Sequence, residues 1–261
     1  MSKRGEQVKV TETKRHSDRM NENRLHQVSL SVIWPTLPFT YLAYLELEQD
    51  ELFSKIPDEK IPQLIQLAME HGEKAAKKFA KNLELTFLIN TLLKQGVRVR
   101  FFQHQPANSW IRAQYIRKPP SIEIYRSSLS QMETFFREMK QPVGEKDLIQ
   151  LHLVHEWFHH LEETKIQRTD LILPRAKQKI WGPFVSHKPI RRLREIAAHT
   201  FTEQVLKLTW SPLLLDHLLL LKDQGKSRLQ IREYFQSVRQ RVEPIFHPPA
   251  PPSEELDQST H

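Results

Sequence analysis

The sequence predicts an α+β fold: a mostly helical domain with a small antiparallel β-sheet, flanked by disordered tails. Three observations carry this. Helical periodicity dominates from Ile61 onward. A stretch of period two interrupts it between Val97 and Arg126. Both ends of the chain lack an apolar period. With 261 residues there is enough chain for one domain with extensions. The expected domain covers 28–246, with its core in 60–210.

Residues 1–27 are polar, basic and aperiodic, and are expected to be disordered. Leu25 to Leu45 then carries no charged side chain. A spanning helix needs about 20 mostly apolar residues, but Pro35 and Pro38 interrupt this run and Ser29, Ser31, Thr36 and Thr40 dilute it. It reads as an apolar arm packed on the domain, with a membrane anchor as the lesser alternative and no stable insertion expected. Ile61 to Gln95 is helical, with Pro62 suited to a first turn and Gly96 to a helix stop. The apolar face drifts along it, which makes Gly72 a candidate division into two helices. "VRVRFFQ" (97–103), "WIRAQYIR" (110–117) and "SIEIYR" (121–126) alternate as strands, with a turn at Lys118-Pro119-Pro120 between the last two. Three short strands in succession suggest an antiparallel meander. A helix follows with capping-box spacing at Ser128 and Gln131. The next helix starts after Gly144, with Leu151, Val154, Phe158 and Leu161 as its apolar stripe. Helical patterns return at "PIRRLREIAAHTFTEQVLKL", "SPLLLDHLLLL" and "RLQIREYFQSVRQRV". The Pro-rich tail 247–261 is again expected to be disordered.

The chain has no cysteine. That excludes disulfides and thiolate metal sites, so any metal must be held by His, Asp or Glu. It also fits a reducing cytoplasm, the expected location. The net charge is +8. Lys165 to Arg194 holds nine Lys/Arg and one acid, Asp170, and so accounts for all of it. This span reads either as a solvated loop or as a docking surface for an acidic partner or a phosphate backbone.

The chemistry concentrates in "LVHEWFHHLEE" (153–163). His155, Glu156 and His159 spell H-E-x-x-H. Four residues apart on a helix, His155 and His159 share one face and can aim ring nitrogens at one point, which suits zinc. Glu156 is rotated about 100° around the axis. It is too far round to be an easy third ligand, yet it can reach a water on the metal as a general base. A third ligand is needed, and Glu195 on the next helix is the best candidate, with small Ala197 and Ala198 beside it. His199, one turn further, could hydrogen-bond a ligand imidazole or be a ligand itself. His152, His160 and Glu162 are weighed as ligands too, but read more simply as outer or solvated groups. Trp157 and Phe158 read as core. Tyr115 and Tyr125 read as structural strand residues, with help in binding a transition state as the alternative.

H-E-x-x-H on one helix and E-x-x-A-x-x-F (Glu195, Ala198, Phe201) on the next resembles the ImmA/IrrE-type zinc metallopeptidases. The preceding order of helix, strands and helix also resembles that gluzincin-like family, over about residues 60–210. The resemblance implies a zincin-like domain with zinc bound by His155, His159 and Glu195, and Glu156 as base. It also implies an edge strand that holds an extended peptide, and substrates that include DNA-binding regulators. Two departures stand out: Phe158 where many members have a small residue, and a longer gap to Glu195.

The expected function is zinc-dependent peptide hydrolysis. Arg191, Arg192 and Arg194, which precede or flank Glu195, are the residues of the basic span expected to meet a substrate, Arg191 and Arg192 foremost, whether an acidic segment or a DNA-bound regulator. The rival reading is a non-catalytic nucleic-acid- or protein-binding module with an accidental or structural H-E-x-x-H. No helix-turn-helix or zinc-finger signature supports it.

Overall fold

The apolar stripes of the second half of the chain need partners, and they find them in one core shared with the apolar arm and the first long helix. In the computed structural model, residues 24–80, 84–106, 111–141, 143–181 and 184–248 are described. Helices α1 (Phe39–Leu47), α2 (Ile61–Phe79) and α3 (Leu85–Lys94) precede the strands β1 (Arg98–Phe102), β2 (Ala113–Ile116) and β3 (Ser121–Tyr125). Helices α4 (Arg126–Glu138) and α5 (Glu145–Thr164) follow. A short α6 (Thr169–Ile172) and strands β4 (Ala176–Trp181) and β5 (Phe184–Lys188) lead to α7 (Arg192–Leu206), α8 (Pro212–Asp223) and α9 (Arg228–Phe246). The fold is α+β and mostly helical.

Helix α5 is central because it is buried on nearly every side, its polar residues Glu156, His159, His160 and Glu162 included. Leu151, Val154, Phe158 and Leu161 are buried as their spacing predicts, and Leu153 and Trp157 are buried as well. Asp147 fixes its start: one carboxylate oxygen accepts from the Gly144 amide at 3.0 Å, the other from the Arg24 amide at 2.9 Å. That second bond draws residues 24–27 out of the expected disordered tail. Leu25 is fully buried, and its carbonyl accepts from Trp210 Nε1 at 3.1 Å. Residues 1–23 and 249–261, also expected to be disordered, lie outside the described residues. The apolar arm packs as expected, with Val28, Leu30, Trp34, Leu37 and Leu42 buried. No described helix is long and apolar enough to cross a membrane. The buried cluster runs from Leu25 to Val242 and so exceeds the 60–210 core expected from periodicity.

Gly72 does not divide the first long helix; α2 runs through it unbroken. It marks a crossing instead. A Cβ at this position would sit 2.3 Å from the Ala197 carbonyl oxygen and 3.0 Å from Thr200 Cβ. Glycine here, with Ala197 and Thr200 opposite, lets α2 and α7 approach backbone to backbone. Gly72→Ala would gain up to about 1 kcal/mol of helix propensity. The clash is with backbone that cannot swing aside, so the strain should win. The expected outcome is a net loss of about 1–3 kcal/mol, typical of overpacking, read as a lower melting temperature. Because α7 carries Glu195, metal occupancy should fall with it. A variant as stable as wild type would show that the helices can separate freely.

The three strands are present but do not form a meander. The order is β1-β3-β2, with β3 antiparallel to β2 and parallel to β1. The reason lies in β3, where Ser121, Ile122, Ile124 and Tyr125 are buried on both faces. A strand apolar on both faces belongs in the middle. Trp110, expected in the second strand, lies outside the described residues. The Ser128 capping box is replaced by an earlier start: α4 begins at Arg126, and buried Ser128 accepts from Gln105 Nε2. The basic span is not a loop. It folds into α6 and the antiparallel hairpin β4–β5, with Lys177 opposite His187. Gly96 does end α3's connection with φ +77°, a conformation glycine adopts at no steric cost.

Candidate metal centre

Helices α5 and α7 pack against each other and bring the two sequence motifs together. His155, His159 and Glu195 each offer one ligand atom, and the three atoms lie within 4.8 Å of one another. Glu195 Oε2 is 3.3 Å from His155 Nε2 and 3.5 Å from His159 Nε2. The i, i+4 spacing places the two imidazoles on one side of α5, and Glu195 faces them from the first turn of α7. Two imidazoles and a carboxylate form a donor set that can hold a metal ion. Burial opposes charge on both His159 and Glu195, but the two attract each other and the attraction wins. His159 rises to about 10, and Glu195 falls well below the usual carboxylate range.

Glu156 stands beside this group and outside it, as its rotation on the helix requires. It is buried, with 6 % exposure, and the Tyr115 backbone amide donates to it. Burial raises its pKa, against the lowering pull of His155 and His159. A carboxylate so placed is a stronger base than one in water. All four residues border a cleft of about 700 Å³. Its walls are α5, α7, α8 and the edge strand β2, whose Ala113, Gln114 and Tyr115 face it.

No family model, no curated protein and no solved structure matches the chain.

The remaining histidines separate by their partners. His199 is not one of the three converging ligands. Its ring packs on that of His155, with centroids 4.6 Å apart, and its Nε2 is 3.8 Å from Asp216 Oδ2. Burial lowers it to about 3, and it lowers His152 to about 3 as well, so both rings are neutral. Asp216 is in turn paired with Arg112. His160 Nδ1 lies 3.1 Å from the Tyr115 hydroxyl, so this pair ties α5 to β2. Tyr125 is a buried strand residue whose hydroxyl donates to Glu123 at 3.1 Å. Trp157 and Phe158 are core, both packed against Phe201, the first edge-on and the second tilted.

The basic span meets the cleft differently from expectation. Arg192 does border the cleft, but its guanidinium donates to Glu46 at 2.8 Å. Its backbone amide is held by Asp50 at 2.9 Å. Arg194 donates to Glu162 at 2.8 Å. Arg191 is exposed at the N-cap of α7 and is not among the cleft-lining residues described. The positive charge near the metal group is thus largely balanced by carboxylates. Glu46 and Asp216 are the residues that sequence reasoning passed over. Glu46 is the lone acid of "FTYLAYLEL", and Asp216 interrupts the leucine run of "PLLLDHLLLLKD"; a charge in such a place needs a partner.

Proposed function

We propose that the chain is a zinc-dependent metallopeptidase. The observation that carries this reading is the convergence of His155, His159 and Glu195 next to Glu156, a buried carboxylate that is not a ligand, in an open cleft. Zinc on such donors supplies Lewis acidity, lowering the pKa of a coordinated water to about 7 and polarising a carbonyl.

The chain's own residues account for the rest. Glu156 accepts the proton of the attacking water and passes it to the leaving amine. The Tyr115 amide holds the Glu156 carboxylate in place. Among the described residues strand β2 has only β3 as a sheet neighbour, which leaves an edge along the cleft that suits an extended peptide. The balanced charge at the rim favours peptide recognition through backbone and apolar contacts over capture of an acidic segment.

Metal analysis of the protein as isolated, paired with hydrolysis of unstructured polypeptides, tests the reading. One zinc per chain and chelator-sensitive cleavage are expected. Full zinc with no cleavage of any peptide would leave a metal site without this activity.

A further inference from the structure

Glu162 lies on α5, three residues after the metal-ligand candidate His159, and its side chain is fully buried. A buried carboxylate is costly unless its oxygens are satisfied, and here four donors or ring nitrogens converge on it. Oε1 accepts from the Thr169 amide at 2.8 Å and from Thr169 Oγ1 at 2.6 Å. Oε2 accepts from Arg194 Nε at 2.8 Å and lies 3.2 Å from His159 Nδ1. We propose that Glu162 is the positioning residue of the metal group, setting two of its three ligands from one oxygen atom.

The chemistry follows from the contacts. An imidazole that donates Nδ1–H to a carboxylate has its tautomer fixed and its Nε2 lone pair left for a metal. His159 Nε2 is the nitrogen that faces Glu195, at 3.5 Å. The same Oε2 holds Arg194, the residue before Glu195, so it also ties the first turn of α7 to α5. The other oxygen anchors Thr169 at the start of α6, where the chain leaves toward the β4–β5 hairpin. Glu162 therefore joins three elements, and its two oxygens divide the work. Oε2 serves the ligands, and Oε1 serves the connection between the ligand helices. That division separates a positioning role from a merely structural one.

The inference rests on the metal reading but not on peptidase activity, because its readout is metal affinity. Zinc affinity is measured by chelator competition, and the visible spectrum of the cobalt-substituted protein reports ligand geometry. Glu162→Gln is expected to weaken zinc by about 10–100-fold and to alter the cobalt spectrum. Thr169→Val removes a bond to Oε1 alone. It should lower the melting temperature while leaving zinc affinity within about twofold, since the ligand-facing oxygen keeps its contacts. If Glu162→Gln does not fold, Glu162→Asp carries the test, because it keeps the charge but withdraws both oxygens by one methylene. The same loss of affinity in a folded protein would support the proposal. Wild-type affinity and spectrum in either Glu162 variant would overturn it, and so would an equal loss of affinity in Thr169→Val. A wild-type protein that binds no zinc would refute the metal reading itself, which is a different outcome.

Discussion

Glu156→Gln is expected to slow peptide hydrolysis by about 10²–10⁴-fold, the usual cost of losing a general base, while zinc content and melting temperature stay at wild-type values. The structural reason is that Glu156 sits beside the converging ligand atoms and is not one of them. Glutamine has the same shape, and its amide oxygen can still accept from the Tyr115 backbone. It cannot take a proton from water. Burial already raises the Glu156 carboxyl above its ordinary range, so the charge that the substitution removes is an expensive one, and no loss of stability should mask the kinetic effect. The measurement is a hydrolysis rate at saturating substrate beside metal analysis of the same preparation. Retained activity would end the general-base assignment. Zinc lost together with activity would make Glu156 a ligand.

The group of three side chains that could hold a metal was legible in the sequence because each part of it obeys a local rule. His155 and His159 share a helix face by periodicity alone, and Glu195 is the lone acid in a basic helix start. The sheet was only half legible. Alternation located three strands, but their order depends on which one is apolar on both faces, a comparison across strands that no single strand reveals. The basic span was only partly legible for a related reason. Counting charge from Lys165 to Arg194 gives +8, yet the carboxylates that neutralise Arg192 and Arg194 come from α1 and α5, at Glu46 and Glu162. Glu46 lies 146 residues away in sequence. Gly72 was misread because a helical glycine looks like a breaker until the partner helix is known. Its role depends on Ala197, which only the fold brings within reach.

Glu195→Ala should remove most of the bound zinc, with a loss of affinity larger than the roughly 10–100-fold that follows removal of an outer hydrogen-bond partner. His155→Ala should behave alike, because each takes away one of three converging donors. His199→Ala is the discriminating control. Its ring packs on His155 and faces Asp216, so zinc should be retained with at most a modest loss. The reverse pattern, full zinc in Glu195→Ala and none in His199→Ala, would show that the third ligand is His199. Proton linkage gives a second, independent check. In the metal-free chain burial opposes charge on His159, but Glu195 and Glu162 outweigh it and hold the imidazole's pKa up at about 10. The ring therefore carries a proton at neutral pH that zinc must displace. Apparent affinity in the wild type should rise as pH increases toward about 10. Glu195 is ionised throughout that range and adds no opposing proton. Glu195→Ala removes the carboxylate that contributes most to raising His159, so the residual affinity of that variant should depend less steeply on pH above neutrality. Chelator competition at a series of pH values reads both slopes. Equal slopes in wild type and variant would mean that Glu195 does not hold that proton on His159.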